Sequence, residues 1–252
     1  GMVLFGRALI LLSLTKCAFA TTQVGPKEGA RSNVTEGTTV ADPIGVWFAL
    51  GCFWGTQYGL VQFEQDSLLR SDTEVTAITV YAGGLGANET LCYENEEHFE
   101  EYETFGYTEA VALNIPEANL TAAAEAYFRL FRPAGGGIWD RPDRFDLGAA
   151  YRAGIGIPGG LDGSNLASIQ AANIHGLTLV EGLGADPDTW GTNEVFIYDS
   201  LVFPPYQAEV CLQFHDDANE DPFPPSYHDL RSVLVETGRL VNDTGCPSNY
   251  VC

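Results

Sequence analysis

A short apolar run, "GVWFAL" (Gly45–Leu50), stops on Gly51 and Cys52, and apolar residues then recur at helical spacing through Tyr58, Val61, Phe63 and Leu68. This feature restricts the fold more than any other. A strand that breaks at a glycine straight into a helix must bury that helix against the sheet to which the strand belongs. Gly55 and Thr56 are the expected caps, with the helix over Thr56–Leu69. Further along, "EVTAITVYAGG" (Glu74–Gly84) starts as an alternating strand and ends in a Gly-Gly turn, and "GYTEAVALNI" (Gly106–Ile115) is another strand. "ANLTAAAEAYFRLF" (Ala118–Phe131) is an amphipathic helix, "YRAGIGIP" (Tyr151–Pro158) a strand, Leu166–Leu177 a helix, and "EVFIYD" (Glu194–Asp199) a last strand. The order β-α-β-β-α-β predicts an α+β chain: a split β-α-β two-layer sandwich with a ferredoxin-like core and loop extensions.

Residues 45–241 form the expected domain. Ahead of it, residues 1–20 read as a secretory signal: Arg7, then the apolar "ALILLSLT" (Ala8–Thr15), too short to span a bilayer, then the small-x-small site "AFA" (Ala18–Ala20). Residues 21–44, rich in Thr, Gly, Pro and Glu, read as a flexible linker, and residues 242–252 as a mobile tail carrying cysteines. Four N-x-T sequons, at Asn33, Asn88, Asn119 and Asn242, fit a glycosylated protein that is secreted or held in the secretory lumen. The chain carries 12 Lys and Arg against 34 Asp and Glu, a net charge of −22, which argues against nucleic acid or an anionic membrane as partner.

Cys52 lies between two glycines and directly before Phe53 and Trp54. At a helix N-terminus the macrodipole and the free N–H groups favour a thiolate, and hence a nucleophile. An aromatic wall beside it suits a ligand with a soft methyl or sulfur group. A buried structural cysteine at the end of a strand is the competing reading. Removal of the leader leaves Cys52, Cys92, Cys211, Cys246 and Cys252, an odd number, with Cys52 the expected unpaired thiol. His98, His175, His215 and His228 show no paired ligand spacing, and "HDDANED" (His215–Asp221) lacks the glycine and terminal glutamate of an EF-hand loop, so no metal site is expected.

The ordered set "GCFWG", "YAGG", "GYTEAV" and "DLGAAYR" resembles the A class of peptide methionine sulfoxide reductases, over about Gly45–Gln213. That resemblance implies a split β-α-β fold and thiol-dependent reduction of methionine-S-sulfoxide, peptide-bound or free, through a Cys52 sulfenic acid. It implies no tightly bound cofactor, only an external thiol reductant, thioredoxin-like or small. Cys52 would attack the sulfoxide sulfur, Phe53 and Trp54 would pack around the S-methyl group, and Glu109 would protonate the oxygen. Asp146 and Tyr151 would bind that oxygen or order water. The family's further tyrosine falls on Tyr93, with Leu91 at the strict register and Tyr102 and Tyr107 as other possibilities.

The sequence also departs from the family pattern. The family's His-Asp-Pro is "FRPAGGG" here, with Arg132 and Pro133, and its A-E-x-Y-H-Q is "AEVCLQ" (Ala208–Gln213), with Cys211 and Leu212 in place of Tyr and His. By the same resemblance Cys246 and Cys252 are the resolving cysteines. The competing arrangement pairs Cys246 with Cys252 and Cys92 with Cys211. Two rival functions stay open: a secreted, non-catalytic binding protein on the same scaffold, and a methionine oxidase using the same cysteine. The reductase reading expects Cys52 to be accessible with a depressed pKa.

Overall fold

The computed structural model describes residues 43–86, 90–93, 100–217 and 221–246. These belong to the compact unit Val40–Cys252; the unit Gly1–Thr39 lies outside them, as do the expected signal, nearly all of the linker, Asn33, Asn88 and Cys252. The first strand, β1 (Pro43–Ala49), takes in the last two linker residues. It leads through Gly51 into α1 (Phe53–Asp66), which starts three residues before the expected position because Cys52, not Gly55 or Thr56, is the N-cap. Then come β2 (Ile78–Ala82), the two-residue strands β3 (Leu91–Cys92) and β4 (Glu100–Glu101), and β5 (Thr108–Pro116). Helix α2 (Leu120–Phe128) is followed by a small hairpin of β6 (Arg132–Gly135) and β7 (Ile138–Asp140). The chain continues through β8 (Gly154–Ile157), α3 (Leu166–Ala172), β9 (Thr178–Glu181) and β10 (Glu194–Asp199). It ends with β11 (Tyr206–Gln207) and α4 (Pro225–Glu236).

Seven strands form one mixed sheet in the order β11-β2-β5-β1-β8-β10-β9. The neighbours from β11 to β8 are antiparallel, whereas β8-β10 and β10-β9 are parallel. The period-2 pattern divides the strands cleanly. Val46 and Phe48 of β1 and Val111, Leu113 and Ile115 of β5 share one cluster with Leu60 of α1, Tyr127 of α2, Ile169 of α3 and Leu230 of α4. Trp47, Ala49, Val80, Ala110 and Tyr198 make a smaller cluster on the opposite face. All four helices therefore contribute to the core on one side of the sheet. Register is fixed partly by Gly156, opposite Trp47, where a Cβ would lie 2.0 Å from the indole nitrogen. No helix among the described residues is long and apolar enough to cross a membrane.

Two ties join loops that are distant in sequence. Arg152 is fully buried, and its guanidinium donates to the carbonyls of Gly83 (2.7 Å), Gly106 (2.9 Å) and Ala149 (2.8 Å) and to the Tyr198 hydroxyl (2.8 Å). Tyr198 in turn donates to Asp186 at 2.8 Å. The second tie is a disulfide between Cys92 and Cys246, 154 residues apart. It excludes the competing arrangement of Cys246 with Cys252 and Cys92 with Cys211, and it ties the tail down at Cys246. Cys211 is disulfide-bonded as well.

Removing the guanidinium while keeping its bulk tests the first tie. Arg152→Met takes the guanidinium away from three carbonyls. Gly83 still accepts from the Ala185 N–H and Ala149 from the backbone N–H of residue 152, but the Gly106 carbonyl and the Tyr198 hydroxyl lose their buried donor. The expected loss is about 3 kcal/mol, read as a lower urea-unfolding midpoint. An unchanged midpoint would mean that the three loops hold one another without it.

Candidate active site

Gly51 turns the corner in the left-handed region, at φ +59, where a side chain would also press on Arg141 at 3.2 Å. The first turn of α1 leaves its N–H groups without intrahelical partners, and no side chain of the cap satisfies them. Acceptors come from elsewhere. The Cys52 N–H donates to Asp146 Oδ2 at 3.0 Å, and the Phe53 N–H to Glu109 Oε2 at 2.9 Å. The Trp54 N–H favours the charged form of the Cys52 sulfur without making a capping hydrogen bond to it. Two carboxylates and a thiol thus share one helix N-terminus.

Glu109 sits on β5 with the parity of Val111 and Leu113, so it faces the helices and is 2% exposed. Burial, opposed by the Phe53 N–H, pushes its carboxyl up to about 8, with Asp146 adding to the rise. Tyr102 donates to Glu109 Oε1 at 3.3 Å. Half-buried Asp146 is also raised, chiefly by burial. Burial and then the charge of Glu109 push the Cys52 thiol well above its ordinary value, with smaller contributions from Asp217 and Asp146; the Trp54 N–H opposes them. This runs against the depressed thiol pKa expected at a helix N-terminus, because burial of the sulfur, and after it the charge of Glu109, outweigh the help of the Trp54 N–H.

Tyr151 ends a short 3-10 turn, Ala149–Tyr151, and its carbonyl accepts from the Gly51 N–H (3.1 Å) and from Arg141 (2.9 Å). Arg141 is held by a two-pronged pair with Asp188, at 2.8 and 3.0 Å. Burial, followed by the charge of Glu109, pushes the phenol of Tyr93 up to about 12, and the Tyr151 hydroxyl opposes the rise. Glu209 accepts from the Tyr93 N–H at 2.8 Å and from the Tyr81 hydroxyl at 2.7 Å. The Trp54 indole donates to the Leu212 carbonyl at 3.0 Å, and its ring stacks on His215 at 4.2 Å.

These side chains meet in one pocket of about 160 Å³. Cys52, Glu109, Asp146 and Tyr151 all line it, and so do Phe53, Trp54 and Tyr93. Asp143 and Asp217 complete its rim. A second cavity of about 300 Å³ opens from Cys52 across α1, floored by Leu50, Tyr58, Leu130 and Phe223. Leu91, the strict-register position, is buried, and Tyr107 packs edge-on to Tyr206 away from the pocket. Cys52 is the free cysteine among the described residues. Cys246 is bound to Cys92, and Cys252 lies outside the described residues. Of the sequons, Asn119 is half-buried at the start of α2 and Asn242 is exposed. Cys92, Cys246 and Glu209 bring donor atoms within 4.8 Å of one another, but the two sulfurs are spent on their own bond.

The sequence reading passed over Arg152, Arg141 and Glu209. Two of them had a signal: Arg152 closes "DLGAAYR", and Glu209 is the matching glutamate of "AEVCLQ".

No family profile and no curated protein matches the chain. In three dimensions it is similar to methionine sulfoxide reductase A of Corynebacterium diphtheriae, with 16% identity, 73% of this chain and 84% of that one covered, and a TM-score of 0.44. It is also similar to Mxr1 from Saccharomyces cerevisiae in reduced form, at 18% identity, 77% and 95% coverage and a TM-score of 0.45. Likeness at that level carries no functional weight by itself.

The reactivity of Cys52 toward iodoacetamide tests the electrostatics. Alkylation is expected to be slow at neutral pH and to keep rising beyond pH 9, since only the thiolate reacts. Glu109→Gln should speed it several-fold above pH 8, where the native carboxyl is charged, one unit of thiol pKa being about tenfold in thiolate. A plateau reached below pH 7 would contradict the acidic environment described above.

Proposed function

We propose that the protein reduces methionine-S-sulfoxide by thiol chemistry at Cys52. The observation that carries this reading is the convergence of a free thiol, a buried carboxyl that keeps its proton at neutral pH, and two hydroxyls in one pocket walled by Phe53 and Trp54. A sulfoxide carries a basic oxygen and an electrophilic sulfur, so it needs an acid on one side and a nucleophile on the other. With the S-methyl group against Phe53 and Trp54, the oxygen is directed to Glu109, Tyr93 and Tyr151. Glu109 protonates the oxygen, which makes the sulfur cationic in character. That charge beside Cys52 offsets the carboxylates and lets the thiol ionise on substrate binding. The Cys52 thiolate then attacks that sulfur, and the new S–S bond breaks as the hydroxyl passes to the Cys52 sulfur: methionine leaves reduced, Cys52 is oxidised to the sulfenic acid, and the proton shed by the thiol restores Glu109. One external thiol condenses with the sulfenic acid, releasing water, and a second frees Cys52 as a disulfide departs. The cavity across α1 leaves room for the chain on either side of a peptide-bound residue. Cys246 can resolve the sulfenic acid only after its bond to Cys92 is reduced, so the external thiol is the simpler partner.

The antiparallel order β2-β5-β1-β8, with α1 and α2 as crossovers, supports reading the core as a ferredoxin-like split β-α-β unit. The leader-like residues 1–20, the four sequons and the Cys92–Cys246 bond support a secretory destination. One observation favours a second reading. The raised Cys52 thiol is what a non-catalytic binding protein on this scaffold would show.

Turnover of the S- and R-epimers with dithiothreitol, beside Cys52→Ser, separates the two readings. Reduction of the S-epimer alone, lost in the variant, is the expected result. Because Glu109 must hold its proton, kcat/KM should fall as pH rises through about 8. Binding of the sulfoxide without turnover would sink the reductase reading in favour of the binding protein.

A further inference from the structure

Tyr102 is not among the residues that line the pocket, yet it is bonded to the acid. Its side chain is 1% exposed, and its ring stacks on Tyr81 with centroids 4.4 Å apart and planes 13° from parallel. Tyr81 is itself pinned through its hydroxyl to Glu209 at 2.7 Å. The Tyr102 hydroxyl has two acceptors: Glu109 Oε1 at 3.3 Å and, more weakly, Glu103 Oε1 at 3.5 Å. The other Glu109 oxygen is taken by the Phe53 N–H. Each carboxyl oxygen of the acid therefore has its own fixed donor, and both donors come from buried groups.

Resting on the reductase reading, we propose that Tyr102 is a positioning residue for the acid: its hydroxyl holds Glu109 Oε1 in place and sets how readily that carboxyl releases its proton. Burial, and after it the charge of Glu109, keep the Tyr102 phenol far above its ordinary value, so it acts as a donor at every working pH. A donor to a carboxylate favours the charged form and offsets part of the burial that drives Glu109 the other way. The titratable groups facing Glu109 from the surrounding elements are Cys52 at the start of α1, Tyr81 on β2, and Tyr93 after β3. Glu103 beside Tyr102, Asp146, and Tyr151 before β8 complete the set. Glu103 and Asp146 raise the carboxyl, whereas Tyr102 and the Phe53 N–H lower it.

Tyr102→Phe keeps the ring stack and removes only the hydroxyl. Two measurements on the full-length protein decide the matter: the pH profile of turnover, and the titration of Glu109 by NMR on protein with carboxyl-labelled glutamate, its signal identified by its loss in Glu109→Gln. The expected result is an upward shift of the Glu109 titration by roughly 0.5 to 1 pH unit. The alkaline limb should move up with it, and the change in rate should appear in kcat rather than in KM, because Tyr102 does not line the pocket. A folded variant whose Glu109 titrates as in the native protein would overturn the proposal and reduce Tyr102 to packing. If the native protein fails to turn over any sulfoxide, the reductase reading falls instead, and the carboxyl titration still shows whether Tyr102 governs Glu109.

Discussion

The buried guanidinium of Arg152 is the interaction on which the arrangement of the site depends. A charge taken out of water is tolerated only when its donors are satisfied. Here the end of β2, the loop before β5 and the turn before β8 are drawn together to supply carbonyls, while Tyr198 relays the charge to Asp186. Those three loops carry the "YAGG", "GYTEAV" and "DLGAAYR" segments. Tyr151 directly precedes Arg152, and Glu109 lies three residues after Gly106, so the same anchor that fixes the loops also fixes where a hydroxyl and a carboxyl reach the corner at Cys52.

At that corner the electrostatics are those of competition. The N-terminus of α1 offers a limited number of N–H groups, and Asp146, Glu109 and the thiol divide them. Burial keeps the proton on Glu109, and burial together with the charge of Glu109 keeps it on Cys52, so both groups hold their protons to higher pH than ordinary ones would. An acid that keeps its proton near neutrality is what oxygen protonation requires. The cost falls on the nucleophile, and in the proposed reaction the polarised sulfoxide makes it good.

How far the sequence was legible depended on where each cause lay. The strand Glu194–Asp199 matches the observed β10 residue for residue, because its run is apolar and clearly bounded. Of the residues lining the pocket, Cys52, Phe53 and Trp54 stand out from the local strand-turn-helix corner, whereas Tyr93, Glu109, Asp146 and Tyr151 are reached only through the resemblance and its ordered motifs. The flank of Glu109 is apolar on both faces of β5, so periodicity could not say which way the glutamate points. Helix α4 was missed because it starts on Pro224-Pro225 and carries a polar "SYHDLR" face with few apolar positions. The pairing of Cys92 with Cys246 was beyond reach, since four cysteines permit several connectivities. The thiol was misjudged for a physical reason. Helix-terminus reasoning is local, while the burial of the sulfur is set by the tertiary fold and the carboxylates beside it come from 94 and 56 residues away.

The protonated state of Cys52 has a consequence for its chemistry at rest. Peroxides, disulfides and soft electrophiles attack cysteine through the thiolate, and oxidative damage follows thiolate character. A sulfur surrounded by acids is therefore quiet toward most of what could spoil it. The free cysteine among the described residues is kept in reserve, and its selectivity is a matter of timing as much as of shape.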